Sequence, residues 1–307
     1  MKKDLLSIYD LDRRDIDAIF SQAARLKELL CKGEAHAPLK GKTLGMIFDK
    51  SSTRTRISFE VGMYQLGGMA IYLNSRDTQL GRGETIADTA RIMSRYLSGI
   101  MIRTYAQKMV EEFAAHATIP IINGLTDLLH PCQILSDLFT ILEKKGTYEG
   151  LKVAYVGDGN NIANSWINAA VRLPFYLSLA CPEGYEPDRE IIKRGMEEAE
   201  GRISLHRDPL IAVKNADVVY TDVWTSMGQE AERKAKSQAF QPYQVNSGLL
   251  FHASKDVMVM HCLPAHRGEE ITGEVIDGVH SVIIDQAENR LHVQKAILEI
   301  LLKTGGC

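Results

Sequence analysis

Residues 43–66 read TLGMIFDKSSTRTRISFEVGMYQL, and the spacing of their apolar residues changes near the middle. The first six residues are almost all apolar, which is typical of a buried β-strand. Apolar residues then follow helical spacing at Phe59, Met63 and Leu66, and Gly67 is a common kind of helix stop. The segment therefore predicts a strand that leads directly into a helix, which is the repeating unit of a parallel α/β sheet.

The same alternation continues along the chain. Strands are predicted at residues 43–48, 69–73, 99–103, 119–122, 152–156, 178–180, 218–221, 257–261 and 282–285. Helices are predicted at residues 53–66, 85–97, 107–116, 131–145 and 292–302. The predicted fold class is therefore α/β, with two domains that each contain a parallel sheet flanked by helices, and with the active site in the cleft between them.

The length of 307 residues suits two domains of similar size. We predict a first domain at residues 1–133, a linking helix at 134–149 and a second domain at 150–290. The C-terminal helix, residues 291–307, is expected to pack back on the first domain.

Composition and charge narrow the classes of function. The net charge of -3 gives no strong overall attraction to nucleic acid or to an anionic membrane surface. No apolar run approaches the ~20 residues that a membrane helix needs, and the N-terminus lacks the apolar core of a secretory signal. Five widely spaced cysteines without a CxxC pair argue against a disulfide framework. We therefore expect a cytoplasmic protein that binds neither nucleic acid nor membrane.

The predicted helix after the first strand begins with an unusually basic turn. The free N–H groups and positive dipole end of a helix favour a bound anion. Ser52, Thr53 and Thr55 add hydroxyl donors, and Arg54 adds a planar fork that matches phosphate geometry. Arginine is disfavoured at this end of a helix unless a counter-ion is present, so this turn predicts an anion site. A capped helix with a solvated basic face is the alternative interpretation.

Three further residues are candidates because of their positions. Arg103 ends a predicted strand, and ligands of α/β proteins bind at the carboxyl ends of strands. His130 and Gln133 lie at the start of the linking helix, where Pro131 fits the first turn. Taken singly, each is as well explained by a surface arginine or a helix-capping segment.

Taken together, the motifs resemble a known family. Residues 52–56 (STRTR), 103–104 (RT) and 130–133 (HPCQ) resemble the carbamoyl-phosphate signature of the aspartate and ornithine carbamoyltransferases. Residues 222–228 (DVWTSMG) and 261–264 (HCLP) resemble the ornithine branch of that family. These motifs span nearly the whole chain, although each would be weak alone.

The resemblance implies a site for carbamoyl phosphate in which Arg103, His130 and Cys262 are the catalytic residues. Gln79 is expected to come from a neighbouring subunit of a homotrimer, which would place the sites at subunit interfaces. The full set of residues implied to bind carbamoyl phosphate is Ser52, Thr53, Arg54, Thr55, Gln79, Arg103, His130, Gln133, Cys262, Leu263 and Arg290.

The resemblance also implies a site for L-ornithine, formed by Asn161, Asp222, Ser226 and Met227. The first domain would bind carbamoyl phosphate and the second would bind ornithine. The uncharged δ-amine would attack the carbamoyl carbon and release citrulline and phosphate. This chemistry depends on orientation and on donors to the developing oxyanion, so no cofactor and no metal are expected.

Two alternatives use other features of the second half. Residues 151–161 (LKVAYVGDGNN) resemble part of a dinucleotide fingerprint, but Ile162 takes the place of the third glycine, and a tight bend that presents Asn160 and Asn161 to the cleft explains them better. A metal site formed by His130, Cys132, His261 and Cys262 matches no standard zinc spacing. His261 and Cys262 are also adjacent, which on a strand would direct them to opposite faces.

Three more alternatives concern the activity of the chain and its acceptor. A non-enzymatic relative on the same fold remains open, although both the donor and the acceptor motifs are intact. An aspartate acceptor would require basic residues for a second carboxylate, and putrescine would leave Asp222 without its partner. The sequence therefore favours ornithine as the acceptor.

Overall fold

The computed structural model describes residues 3–74, 83–224 and 233–304. The chain divides into a first unit, Met1–Phe139 with Asn289–Cys307, and a second unit, Thr140–Glu288. Each unit contains one parallel sheet flanked by helices, which confirms the predicted fold class. Among the described residues, no helix is both long enough and apolar enough to cross a membrane.

The first unit is built on a four-stranded sheet of order β2-β1-β3-β4. Its strands are β1 (Thr43–Phe48), β2 (Met69–Asn74), β3 (Gly99–Arg103) and β4 (Ile121–Leu125). The helices that begin in this unit are α1 (Arg13–Cys31), α2 (Thr53–Gln65), α3 (Ile86–Tyr96), α4 (Gln107–His116) and α5 (Pro131–Lys145). The central strands β1 and β3 are almost completely buried, which explains their near-continuous apolar sequence.

Helix α1 is absent from our sequence prediction, although its signals are present. Asp12 caps the helix by accepting from the N–H of Asp15, and the Asp15 side chain accepts from the N–H of Asp12. This reciprocal pair is a capping box with Asp in place of the usual Glu. Ile16, Ile19 and Phe20 then bury one face of the helix at helical spacing.

The second unit contains a five-stranded sheet of order β7-β6-β5-β8-β9. Its strands are β5 (Lys152–Val156), β6 (Tyr176–Ala180), β7 (Ile203–His206), β8 (Val218–Thr221) and β9 (Met258–His261). The helices that follow α5 are α6 (Asn161–Arg172), α7 (Arg189–Glu198), α8 (Pro209–Val213), α9 (Arg233–Phe240), α10 (Ser247–Leu250), α11 (Gly273–Ile276) and α12 (Ile283–Thr304). The edge strand β7 is missing from the prediction because only four residues form it, and just one of them is buried.

The predicted strand at residues 282–285 is wrong, because helix α12 begins at Ile283. Only Ser281 continues the sheet, through an isolated parallel bridge to Val259. The β-branched run suggested a strand, but Asp285 suits the positive first turn of a helix. The predicted helix 292–302 is therefore the C-terminal part of a longer one.

The division between the two units falls inside α5, after Phe139, and inside α12, after Glu288. Residues 289–307 group with the first unit. We keep the predicted limits at residues 133, 149 and 290 as a proposal for how the chain divides in function.

Candidate active site

Each sheet has one point at which the order of its strands reverses direction. In the first unit this point lies between β1 and β3, and in the second unit it lies between β5 and β8. Loops that leave such neighbouring strands at their carboxyl ends run to opposite faces of the sheet and open a crevice for ligands. Several of the predicted site residues follow these strands.

In the first unit, the turn after β1 forms the amino end of α2. Ser52 caps the helix, and its hydroxyl accepts from the N–H of Thr55 at 3.3 Å. Thr53 is exposed on the first turn, and the Nε of half-buried Arg54 has no hydrogen-bond partner among the described residues. The turn therefore keeps the donors expected of an anion site.

Two arginines converge on the buried hydroxyl of Thr55. Arg290 Nη2 donates to Thr55 Oγ1 at 2.7 Å, and Arg103 Nη1 lies 3.5 Å from the same oxygen. Arg103 is 6% exposed and Arg290 is 5% exposed, so both guanidinium groups are largely withdrawn from water. Two positive charges beside one neutral hydroxyl create a strongly positive environment, which suits a phosphate dianion.

His130 lies in the same environment and is 4% exposed. Burial holds the pKa of its imidazole well below the usual value of 6.5, and the charges of Arg290 and Arg103 lower this pKa further. The ring is therefore neutral at physiological pH. A neutral imidazole can donate one N–H to an oxygen without adding a third positive charge.

Gln133 is fixed by a buried carboxylate. Its amide Nε2 donates to Asp137 Oδ1 at 2.8 Å, and this contact settles the orientation of the amide because a carboxylate only accepts. The Gln133 Oε1 atom is buried and has no hydrogen-bond partner among the described residues. Gln133 therefore offers an acceptor, which suits an NH2 group better than a phosphate oxygen.

The neighbouring Cys132 plays a structural part. Its thiol donates to the carbonyl of Asn123 at 3.4 Å, and burial raises the pKa of the thiol to about 12. A thiol of such high pKa is a poor nucleophile at neutral pH. Cys132 thus packs the start of α5 against β4.

In the second unit, the predicted acceptor residue Asp222 follows β8 and is 6% exposed. Its Oδ2 accepts from Asn160 Nδ2 at 2.7 Å, and its Oδ1 accepts from the Cys262 thiol at 2.9 Å. Oδ1 also accepts from the N–H of Val223 at 2.8 Å. Three donors therefore hold one carboxylate in a fixed orientation. Asn161, also predicted, is the first residue of α6 and is half-buried.

His261 ends β9 and organises the turn that carries Cys262 and Leu263. The N–H of Leu263 donates to His261 Nδ1 at 2.9 Å, so the imidazole proton lies on Nε2. Nε2 then donates to Glu270 Oε1 at 3.1 Å, in a contact that is fully buried. Leu263 has a φ of 58°, an uncommon conformation for a residue with a Cβ, and this hydrogen bond helps to hold it.

The predicted opposite orientation of adjacent His261 and Cys262 is wrong. Strand β9 ends at His261, and Cys262 already belongs to the turn. Ligand atoms of Asp222, His261 and Cys262 all lie within 4.8 Å of one another, a grouping that could hold a metal ion. Both ring nitrogens of His261 are engaged in hydrogen bonds, however, so a metal would have to displace one of them.

Three predicted site residues, Gln79, Ser226 and Met227, lie outside the described residues.

Two other hydrogen bonds of the site are not predicted from the sequence. His261 and Glu270 hold the turn after β9, and no local pattern pairs them. The sequence predicts a tight bend that presents Asn160, but it does not reveal the hydrogen bond from Asn160 to Asp222. The sequence feature that could have drawn attention to Asn160 is its position after a strand and a glycine turn, where asparagine is a preferred helix cap.

Comparison with known families matches both halves of the chain. Residues 3–143 match the carbamoyl-phosphate-binding domain of the aspartate/ornithine carbamoyltransferases. Residues 149–301 match the aspartate/ornithine-binding domain of the same enzymes.

Individual relatives match over nearly the full length. A protein named ornithine carbamoyltransferase from Syntrophus aciditrophicus is 74% identical over 98% of this chain and 100% of its own length. Another, from Geobacter metallireducens, is 56% identical over 99% of this chain and 100% of its own length. The solved structure of ornithine carbamoyltransferase from Pyrococcus furiosus is 55% identical, with a TM-score of 0.95 over 98% of this chain and 97% of that one.

Proposed function

Because the chain belongs to the aspartate/ornithine carbamoyltransferase family, we propose that it transfers the carbamoyl group of carbamoyl phosphate to the δ-amine of L-ornithine. The products are L-citrulline and phosphate. The observation that carries the choice of acceptor is the buried Asp222 carboxylate, which three donors orient after β8. A fixed carboxylate matches the α-ammonium of an amino acid, whereas an aspartate acceptor would call for basic residues there.

The first unit binds carbamoyl phosphate in this proposal. Ser52, Thr53 and Arg54 present donors at the positive end of α2, where the phosphate gains both hydrogen bonds and the helix dipole. Arg103 and Arg290 neutralise the remaining charge beside Thr55. These contacts strengthen as the bond to phosphate breaks, because negative charge then accumulates on the leaving group.

His130 and Gln133 orient the carbamoyl group. Attack by an amine places negative charge on the carbonyl oxygen, and neutral His130 together with Arg103 can donate to it. Gln133 Oε1 accepts from the carbamoyl NH2 and so fixes which side of the planar group faces the amine. This acceptor role belongs to Oε1, while one hydrogen of the Gln133 NH2 group is donated to Asp137.

The second unit binds ornithine in this proposal. Asp222 receives the α-ammonium together with Ser226 and Met227, and Asn161 receives the α-carboxylate. Cys262 and Leu263 lie beside the reacting amine. Cys262 acts as a polar neighbour and not as a covalent nucleophile, because the amine itself attacks and the thiol already donates a hydrogen bond to Asp222. The two bound substrates must meet for the transfer to take place.

We further propose a homotrimer in the cytoplasm, in which each site receives Gln79 from a neighbouring subunit. The first unit exposes apolar side chains on α2, β2 and α3, which an association between copies could bury. They are Ile57, Tyr64, Met69, Ile71, Ile92 and Tyr96.

A direct assay tests the reaction and the acceptor together. Ureido product is measured by colour after incubation of the enzyme with carbamoyl phosphate and, separately, with ornithine, aspartate, putrescine or acetylornithine. We expect product with ornithine and at most a small fraction of that rate with the other three, because Asp222 would lose or misplace its partner. Product from another acceptor would overturn the ornithine assignment, and absence of product from folded protein would favour a non-enzymatic role.

A further inference from the structure

We propose that Asn160 is a positioning residue that sets the Asp222 carboxylate in place for the acceptor. The inference rests on the proposed function, since it gives Asp222 the role of binding the ornithine ammonium. It goes beyond that function by naming a residue, outside the set implied to bind substrate, that prepares this carboxylate.

The orientation of the Asn160 amide is settled by its surroundings. Its Oδ1 accepts from the N–H groups of Ile162 at 2.9 Å and Ala163 at 3.4 Å, which caps the start of α6. The hydroxyl of Tyr155 lies 3.3 Å from the same oxygen. The Nδ2 atom must therefore face the other way, where it donates to Asp222 Oδ2 at 2.7 Å.

The loop that carries Asn160 has little freedom to move. Gly159 passes so close to the turn before α7 that a Cβ there would lie 2.1 Å from the carbonyl carbon of Glu186. Asp158 pairs with Lys236 at 2.9 Å, and both side chains are largely buried. The Tyr155 hydroxyl also donates to the carbonyl of Asp158 at 2.7 Å. A residue held this firmly can impose a position on its partner.

The division of donors on Asp222 indicates what Asn160 contributes. Oδ1 accepts from Cys262 and from the N–H of Val223, which fills its two lone-pair directions. Oδ2 accepts from Asn160 alone among the described residues, so one direction at Oδ2 remains for an ammonium. Asn160 therefore aims the oxygen that would receive the substrate, and it does so without touching the substrate itself.

Asn160→Asp separates this role from helix capping. Aspartate caps a helix as well as asparagine does, so α6 keeps its start. The variant removes the amide donor and places a second carboxyl group beside Asp222. When the pair shares one proton, the introduced carboxyl can donate to Asp222 as the amide did; when both groups are ionised, they repel and Asp222 is displaced. The charged or titratable groups that also lie nearby are Tyr155, Asp158, Lys236, His261 and Cys262.

The experiment compares kcat/KM for ornithine in the wild type, Asn160→Asp and Asn246→Asp from about pH 6 to about pH 9. Asn246 is the matched control, because it caps α10 through the same oxygen, at 2.9 Å from the N–H of Leu249. For Asn160→Asp we expect the ratio to wild type to fall about tenfold or more as the pH rises, mainly through KM for ornithine. We expect no change in KM for carbamoyl phosphate and a constant ratio for Asn246→Asp.

A ratio for Asn160→Asp that stays near one at every pH would overturn the inference, as would an equal rise in KM for carbamoyl phosphate. If this variant fails to fold, Asn160→Ser keeps a capping oxygen but cannot reach Asp222, and it should raise KM for ornithine at every pH; an unchanged KM would again overturn the inference. A wild type that forms no citrulline would instead refute the proposed function and this inference with it. Citrulline formation by the wild type, with a ratio for Asn160→Asp that stays near one, would refute the inference alone.

Discussion

At the scale of single residues, the site brings together side chains that are far apart in the sequence. Thr55 lies 235 positions from Arg290, yet the hydroxyl of one accepts from the guanidinium of the other. The same two arginines that suit a phosphate also lower the pKa of His130, in addition to the larger effect of burial. A site that concentrates positive charge for an anion therefore also keeps its histidine neutral. The imidazole can then serve as a donor but not as a cation.

His130 should make stability fall in mild acid. Below about pH 6.5 the unfolded chain protonates this histidine while the folded chain does not, so the unfolded state binds more protons and its stability relative to the fold rises. Between pH 6.5 and the lowered pKa, the folded state should lose ~1.4 kcal/mol per pH unit through this residue. His130→Gln should remove that slope.

Urea unfolding at about pH 7.5 and at about pH 5 checks this prediction. The difference in unfolding free energy between wild type and His130→Gln should shift by up to ~2 kcal/mol in favour of the variant at the lower pH. A difference that is the same at both pH values would contradict a neutral, buried His130.

Among the secondary-structure elements, the helix caps serve two kinds of purpose. The cap of α1 is a local device, since Asp12 and Asp15 accept from each other's N–H groups. The caps of α2 and α6 lie beside strands at the points where the sheets reverse order, and Ser52 and Asn160 are proposed to serve a site as well as a helix. Capping chemistry is therefore readable from sequence, whereas the added role depends on the neighbouring strand.

The pair Ser52→Ala and Asp12→Ala separates these purposes. Either substitution should cost about 1 kcal/mol of unfolding free energy, because each removes a capping oxygen. Only Ser52→Ala should also weaken carbamoyl phosphate binding, since Ser52 is proposed to contact the phosphate while Asp12 belongs to a different helix. Thermal unfolding and the KM for carbamoyl phosphate measure the two effects. Equal effects of both variants on this KM would contradict a phosphate site at the start of α2.

In the molecule as a whole, the proposed site residues divide between the two units. Arg103, His130 and Arg290 belong to the first unit, and Asp222 and Cys262 belong to the second. Each sheet has an order reversal, which is where α/β architecture offers a crevice, and Arg103 and Asp222 each lie at the end of a strand that borders one. The proposed trimer adds one residue, Gln79, from a neighbouring copy.

Subunit mixing tests that addition. Gln79→Ala and Asp222→Ala should each be nearly inactive alone. After dissociation and random reassembly of an equal mixture, ~25% of all sites should combine an intact Asp222 with an intact Gln79 from a neighbour, so activity should return. Each variant reassembled with itself is the control. Mixed trimers that form, as seen by native mass spectrometry, but stay inactive would show that Gln79 does not act across subunits.

The order of amino acids is enough to predict the fold class and most of the strands, because buried parallel strands need apolar runs and helices need a repeating apolar face. It also predicts an anion site at the first turn of α2, since two arginines at a positive helix end require a counter-ion. The motif 261–264 marked Cys262, but local alternation gave the wrong geometry there, because nothing in that stretch reveals that β9 ends at His261.

Which side chains meet depends on the tertiary structure. The contact of Arg290 with Thr55 and the hydrogen bond from Asn160 to Asp222 each join residues on different elements. The hydrogen bond from Gln133 to Asp137 fixes the orientation of an amide within one helix. Such contacts depend on the order of strands in a sheet, which a periodic pattern does not encode. They also decide protonation and donor direction, because burial and neighbouring charge act through distance in space and not along the chain.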